Sequence, residues 1–218
     1  MTAPAHGTRT GLLWYASYGA NTDPTRFACY VAGGVPPGGA RANPGCRDRT
    51  PPRDRRALWL PGGVYFALAS RMWGGGLALY DPDLPGAAPA RAYLVTAGQF
   101  ADIAAQEMYR DPGADLDLAA LPREGRRVLG PGRYETVVYR GDLDGHPILT
   151  FTAHWGLADT RPEPPSAGYL RTIGGGLAAA HQWSAARTGA YLAGRPGARG
   201  AWSADRVAEL LTGGATGG

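Results

Sequence analysis

Residues 12–34 read LLWYASYGANTDPTRFACYVAGG, and this stretch combines a strand, a tight turn and a helix in direct succession. The apolar run at residues 12–17 predicts a strand. Residues 18–21 predict the turn. The helix that follows begins with Asp23 as its N-cap and Pro24 at its first position, and the two glycines at the end of the stretch stop it.

The turn places polar backbone groups where a ligand can reach them. A helix N-terminus carries unpaired N–H groups that favour an anion such as a carboxylate. Small residues in the turn let a ligand approach the backbone closely. We therefore expect substrate binding at Tyr18, Gly19, Ala20 and Asn21. A plain strand-to-helix connection fits the same four letters, and the motif alone leaves both interpretations open.

Glu107 is the candidate catalytic residue. Residues 99–110 have helical periodicity, in which Phe100, Ile103, Ala104 and Glu107 fall at i, i+3, i+4 and i+7 and place the carboxylate on the apolar stripe. Burial and the negative end of the helix dipole both disfavour the charged form. This position predicts a pKa suited to proton transfer. The alternative is a stripe that ends early and leaves Glu107 in water.

The rest of the chain predicts a mixed α+β fold without regular βαβ alternation. Strands are expected at residues 64–69, 77–80, 92–96, 134–140 and 148–153. Helices are expected at residues 169–183, 185–192 and 204–211. Asp144-Gly145 predicts a hairpin turn between the last two strands. We expect one domain over residues 12–212, with a Pro/Gly/Arg-rich irregular insertion at 35–58 and flexible ends at 1–11 and 213–218.

The charge balance narrows the possible chemistry. All 22 basic residues are arginine, which removes mechanisms that need a lysine amine, such as Schiff-base formation. The net charge of +4 is matched by residues 41–56, which hold six arginines against two aspartates. Nucleic-acid binders spread such charge over a face or helix, whereas this run is proline-rich. We expect no nucleic-acid partner, and a loop that attracts an acidic substrate.

Other features favour a cytoplasmic protein without a metal. Cys29 and Cys46 are too few for a disulfide framework or a four-cysteine metal site, and the histidines are scattered. No apolar stretch approaches the ~20 residues of a membrane span, so no membrane partner is expected. Gly174, Gly176 and Ala179 imitate a dinucleotide-binding motif, but no strand leads into them. We interpret these glycines as close helix packing.

Taken together, these motifs resemble the γ-glutamylcyclotransferase-like family. The family's opening Tyr-Gly-Ser-Asn strand and turn correspond to WYASYGAN at residues 14–21, followed by Arg26-Phe27. The Trp-x-Gly-Gly strand corresponds to WGGGLA at 73–78, and the helix ending in Gln-Glu corresponds to QFADIAAQE at 99–107. Pro165-Ser166, Tyr169 and Ile173 resemble a later helix start. Order and spacing agree over most of residues 12–180.

The resemblance implies a compact, barrel-like sheet flanked by helices, with the site at its mouth. It implies that Glu107 is catalytic and that residues 18–21 bind the substrate. Tyr15, Trp73 and Tyr169 are expected to line the pocket, although aromatic core packing explains them equally well. Ala20 stands where the family has serine, which removes a hydroxyl donor but keeps the backbone N–H.

The implied reaction is cleavage of a small-molecule γ-glutamyl amide by the substrate's own α-amine, which releases 5-oxoproline and an amine. No metal or organic cofactor is expected, because the nucleophile belongs to the substrate. Two alternatives stay open. One is removal of a γ-glutamyl or related acyl cap from a biosynthetic intermediate, and the other is a non-catalytic small-molecule binding module.

Overall fold

The computed structural model describes residues 11–37, 39, 41–70 and 72–213. Within these residues the strands are β1 (Leu12–Ser17), β2 (Asp54–Pro61), β3 (Gly63–Ser70), β4 (Gly75–Asp81), β5 (Ala87–Thr96), β6 (Arg126–Val128), β7 (Thr136–Leu143) and β8 (His146–Thr152). The α-helices are α1 (Pro24–Ala32), α2 (Ala97–Glu107), α3 (Leu121–Glu124), α4 (Ala167–His181), α5 (Ala185–Ala193) and α6 (Ala204–Thr212). The predicted mixed α+β class is confirmed. Apart from Gly11 and Gly213, the ends predicted to be flexible lie outside the described residues.

Strand β1 lies in the interior of the larger sheet. The six-stranded order is β2-β5-β1-β8-β7-β6, and β3 pairs with β4 in a separate two-stranded sheet. β1 runs antiparallel to β5 and parallel to β8, and all six of its residues are buried. The chain therefore leaves β1 from the middle of the fold, with neighbouring strands on both sides to fix the position of the following turn.

The alternating side chains of β1 enter two different hydrophobic cores. Leu13 and Tyr15 belong to the core that α1 and α2 cover. Ala16, together with Tyr18 just beyond the strand, belongs to the core formed with α4 and the β3-β4 sheet. This period of two is the pattern expected of a strand buried on both faces. Helices α2 and α4 consequently lie against opposite sides of the same central strand.

The sequence interpretation of residues 35–58 is wrong for the last five of them. Asp54–Pro61 forms β2, which pairs with β5 in continuous antiparallel register from Asp54 with Leu94 to Pro61 with Ala87. Arg55 and Arg56 are exposed on this strand. β2 is an edge strand, where charged side chains are tolerated because they discourage pairing with another chain. The arginines made a regular strand resemble a loop.

The other predicted elements are confirmed, with ends that shift by at most three residues, except that β5 begins five residues earlier than predicted. Asp144 and Gly145 both have positive φ, 51° and 76°, and connect β7 to β8 as a hairpin. The Asp23 side chain caps α1 by accepting from the Thr25 amide at 2.8 Å. The short elements β6 and α3 were not predicted. Among the described residues, none of the helices combines the length and apolarity that crossing a membrane requires.

Helix α4 packs directly on the turn that follows β1. A Cβ added at Gly176 would lie 2.4 Å from the Thr22 carbonyl carbon and 2.6 Å from the Asp23 nitrogen. A Cβ at Gly174 would lie 2.8 Å from a methyl group of Leu211. The prediction that these glycines serve close helix packing is confirmed. Only a residue without a side chain lets α4 hold the turn at this distance.

Two neighbouring glycines of α4 provide a matched test. A Cβ at Gly175 meets nothing within 4 Å, so Gly175→Ala should raise the free energy of unfolding by roughly 0.5–1 kcal/mol through helix propensity. Gly176→Ala should lower it by roughly 1–3 kcal/mol, because the methyl group overlaps the backbone of residues 22–23. Urea denaturation of both variants measures the difference, and equal stabilities would contradict the packing described.

Candidate active site

The turn after β1 is held by a hydrogen bond to strand β8 and by hydrogen bonds between its own residues. Tyr18 is buried, and its hydroxyl donates to the Phe151 carbonyl at 2.7 Å. The Gly19 carbonyl accepts from the Thr22 amide at 3.0 Å and from the Thr22 hydroxyl at 2.7 Å. Residues Ala20–Thr22 form a single 3₁₀ turn. The backbone of the turn is thus fixed before any ligand binds.

The amides of this turn have donor capacity left. In the part of the chain that the structure describes, the N–H groups of Gly19, Ala20 and Asn21 find no hydrogen-bond acceptor. The Asn21 carbonyl, in contrast, accepts from the Tyr93 hydroxyl at 2.9 Å. Three successive free amides can bind a carboxylate oxygen. Binding of a ligand there stays a prediction.

Glu107 lies next to this turn at the last position of α2. Its carboxylate oxygen Oε1 accepts from Asn21 Nδ2 at 3.0 Å, and the same nitrogen lies 3.4 Å from the Tyr15 hydroxyl. Phe100 and Ile103 on the same stripe are fully buried, and Glu107 is partly buried. The structure therefore places the carboxylate against residue 21 of the turn rather than in open water.

The surroundings of Glu107 favour its protonated form. Burial raises the pKa of the Glu107 carboxyl above its ordinary value. The positive charges of Arg26 and Arg133 and hydrogen bonds from Tyr30 and Asn21 lower this pKa, but burial outweighs them. A carboxylate with a raised pKa is a stronger base and, once protonated, can return the proton to a leaving group.

The hydroxyl groups around Glu107 are uncharged near neutral pH. Burial is the main cause that raises the pKa of each surrounding tyrosine, and the charge of Glu107 raises it further. For Tyr169 the pKa reaches about 12. These groups can donate and accept hydrogen bonds without adding charge; they are Tyr15, Tyr18, Tyr30, Tyr134 and Tyr169.

Trp73 and Tyr169 form one wall of the site. Their ring centroids lie 4.7 Å apart, and the Arg26 guanidinium carbon lies 5.0 Å from the Trp73 ring centroid. The Tyr169 hydroxyl accepts from the Ala78 amide at 3.2 Å. A Cβ added at Gly19 would lie 3.5 Å from this hydroxyl. The tyrosine therefore faces the turn while its ring is buried.

Tyr15 contributes both to the site and to the core. Its ring packs 5.6 Å from the Phe27 ring and 5.3 Å from the Phe151 ring, measured between centroids. Its hydroxyl lies beside Asn21. Substrate binding and core packing, which the sequence left as alternatives, are thus compatible for this residue.

The candidate residues line one cavity of about 150 Å³. The eight that the sequence indicated are Tyr15, Tyr18, Gly19, Ala20, Asn21, Trp73, Glu107 and Tyr169. Pro36, Arg41 and Asn43 from the predicted insertion at residues 35–58 also line this cavity. Attraction of an acidic substrate by that segment stays a prediction. One arginine of the segment, Arg47, already pairs with a protein carboxylate, Asp102, at 2.9 Å.

Sequence reasoning did not assign four further residues of the cavity: Arg26, Tyr30, Gln106 and Arg133. A signal for Arg26 existed, because it is the single charged residue in α1, PTRFACYVA, and lies four positions before Tyr30. Gln106 is oriented by its side-chain nitrogen, which donates to the Tyr30 carbonyl at 2.9 Å. Within the described ranges, no three His, Cys, Asp or Glu side chains cluster closely enough to hold a metal ion.

Comparison with solved structures identifies the fold. A γ-glutamyl cyclotransferase superposes with a TM-score of 0.50 at 12% identity, over 93% of this chain and 99% of that one. An uncharacterized protein from Homo sapiens gives a TM-score of 0.49 at 13% identity, with the same two shares covered. The chain has the γ-glutamylcyclotransferase fold. The resemblance predicted from the motifs is thereby confirmed at the level of the fold.

Sequence comparison adds one relative. Histone deacetylase 5 of Arabidopsis thaliana is 30% identical over 198 residues, which is 83% of this chain. The chain spans 30% of the length of that protein. No family model matches the sequence.

The raised pKa of Glu107 has a consequence for stability. The Glu107 carboxyl ionises less readily in the folded than in the unfolded chain. Its contribution to the free energy of unfolding is therefore full below the unfolded pKa of ~4.3 and is lost as pH rises through the folded pKa. Glu107→Gln cannot ionise. The melting temperature of this variant should therefore rise relative to wild type as pH goes from about 4 to 8. Thermal unfolding across this pH range tests the sign, and a constant or falling difference would contradict the raised pKa.

Proposed function

We propose that this protein cleaves a γ-glutamyl amide by intramolecular cyclisation, with Glu107 as the proton-transfer group. The observation that carries the proposal is the contact between the Glu107 carboxylate and Asn21 at 3.0 Å, beside three free amides of the same turn. Glu107 and residues 19–21 line one cavity in a γ-glutamylcyclotransferase fold, which supports assigning the base and the anion site to it. The α-amine and α-carboxylate of a γ-glutamyl group sit on one carbon, which suits this proximity.

In the first step, the amides of residues 19–21 hold the α-carboxylate, and the Glu107 carboxylate takes a proton from the α-ammonium group. The free amine then attacks the γ-carbonyl carbon and forms the ring C–N bond. The raised pKa of Glu107 makes it a better base for this step than an exposed glutamate.

In the second step, protonated Glu107 gives its proton to the nitrogen of the departing amine as the original amide C–N bond breaks. Glu107, again a carboxylate, then takes the second proton from the ring nitrogen and passes it to the released amine. The products are 5-oxoproline and the protonated amine, and Glu107 returns to its carboxylate form. No water is consumed. Holding the two reacting parts of the substrate in one orientation supplies much of the rate, because the attack is intramolecular.

In this proposal the amine part of the substrate extends toward Pro36, Arg41 and Asn43, which line the same cavity. These residues lie in the segment that the sequence indicated as an insertion. A leaving amine larger than an amino acid, such as a capped biosynthetic intermediate, would contact them. Both substrate types give the same 5-oxoproline product, so the reaction class is independent of this choice.

Glu107→Gln should lose about 100- to 10,000-fold in kcat, because the amide cannot accept the proton. Mass spectrometry of 5-oxoproline released from a panel of γ-glutamyl amides measures this loss. Glu209→Gln is the matched control, since Glu209 is exposed on α6 and should leave turnover unchanged.

Two outcomes would overturn the proposal. One is a folded Glu107→Gln variant that releases 5-oxoproline at the wild-type rate. The other is a wild-type protein that binds γ-glutamyl amides in isothermal titration without forming product, which would instead support a binding module.

A further inference from the structure

Arg26 is a buried cation that forms no close ion pair with the described residues, although its charge acts on the Glu107 carboxyl in the same cavity. Its relative exposure is 7%, and no Asp or Glu oxygen of the described residues lies within 4.0 Å of its guanidinium nitrogens. Four other arginines do have such a carboxylate and are more exposed; they are Arg47, Arg56, Arg110 and Arg127. A buried guanidinium is unfavourable unless its charge and its N–H groups are satisfied.

The contacts that Arg26 makes do not satisfy the charge and the N–H groups of its guanidinium. Its side chain donates to the Met72 sulfur at 3.8 Å and stacks over the Trp73 ring at 5.0 Å. Its Nε is enclosed and has no hydrogen-bond partner among the described residues. Sulfur and an aromatic ring are weak partners compared with a carboxylate. The same side chain lines the cavity that contains Glu107 and the turn.

We propose that Arg26 binds the substrate's α-carboxylate, together with the free amides of residues 19–21. Arg26 lies five residues after Asn21, in the first turn of α1, so both groups of donors come from the same segment of the chain and line the same cavity. A planar guanidinium can bind a carboxylate through two parallel hydrogen bonds, which a lysine cannot do. This inference rests on the proposed function for the identity of the ligand but not for the presence of an anion site.

Binding of a carboxylate at Arg26 also affects Glu107. The charged groups that act on Glu107 are Arg26 and Arg133, and the titratable groups around it are Tyr15, Tyr18, Tyr30, Tyr134 and Tyr169. The tyrosine pKa values are all raised, so these groups are neutral near pH 7. A carboxylate on Arg26 offsets one of the two positive charges, and the pKa of Glu107 rises further. This effect belongs to the carboxylate alone, because the substrate's α-ammonium group, which lies beside Glu107 in the proposed first step, acts on its pKa in the opposite direction.

The test compares two ligands that differ in one group. 5-Oxoproline carries the carboxylate, and 2-pyrrolidinone is the same ring without it. Isothermal titration should show that wild type binds 5-oxoproline much more tightly than 2-pyrrolidinone. Arg26→Gln should lose about 10- to 100-fold in affinity for 5-oxoproline, the range expected for a hydrogen bond to a charged group. It should leave the affinity for 2-pyrrolidinone unchanged.

Two variants separate carboxylate binding from a structural role. Arg187→Gln removes a similar stacking contact, 4.6 Å from the Trp183 ring, outside the cavity, and should bind 5-oxoproline like wild type. Arg26→Lys keeps the charge and should recover part of the affinity, and it also serves if Arg26→Gln does not fold. Unchanged 5-oxoproline affinity in the Arg26 variants would overturn the inference, as would equal binding of the two ligands, or of neither, by wild type.

The outcomes distinguish this inference from the proposed function. Arg26-dependent binding of 5-oxoproline without turnover of any γ-glutamyl amide would support the carboxylate site and overturn the reaction. Turnover of a γ-glutamyl amide at the wild-type kcat/KM in Arg26→Gln would overturn the carboxylate site and leave the reaction intact.

Discussion

The hydrogen bond from Asn21 to Glu107 joins two parts of the chain that are 86 residues apart. It connects the turn after β1 to the last residue of α2, and it is a bond to a charged group when the carboxylate is ionised. Bonds of this kind contribute about 1.5–3 kcal/mol. This bond orients the carboxylate and lowers the pKa of Glu107. Burial raises the same pKa by more, so the carboxylate remains a stronger base than an exposed glutamate. The proposed base and the proposed anion site are thereby held together.

The rest of the fold fixes the two ends of this contact. β1 is paired on both sides, so the turn emerges from the interior of the sheet. Gly176 lets α4 close on Thr22 from one side, and Tyr93 donates to the Asn21 carbonyl. On the opposite face, the buried stripe of α2 sets the position of Glu107. The elements that support the site therefore belong to two separate hydrophobic cores.

Local patterns were sufficient for the strand, the turn, the helix cap and the stripe position of Glu107. Each depends on residues within about one or two helical turns, and hydrophobic periodicity records such positions directly. β2 was misread because its edge position, which tolerates Arg55 and Arg56, is a property of the whole sheet. The strand order around β1 also depends on distant pairings.

Within the site, the role of Arg26 was likewise not predictable from local sequence patterns. Its position on α1 was visible in the sequence, but its lack of a close ion pair depends on which side chains other segments bring near it. Met72 and Trp73 lie 46 and 47 positions further along the chain. Burial and missing partners are tertiary properties, so a lone arginine in an apolar helix acquires meaning only when the surrounding segments are in place.

If Glu107 is a partly buried, proton-transferring carboxyl beside the turn, it must titrate differently from an exposed glutamate. Carbon-13 NMR of the glutamate side-chain carboxyls, with Glu107→Gln used to assign the signal, measures this directly. We expect an apparent pKa for Glu107 clearly above the ~4.3 of an exposed glutamate. Titration of Glu107 together with the exposed glutamates near that value would contradict it.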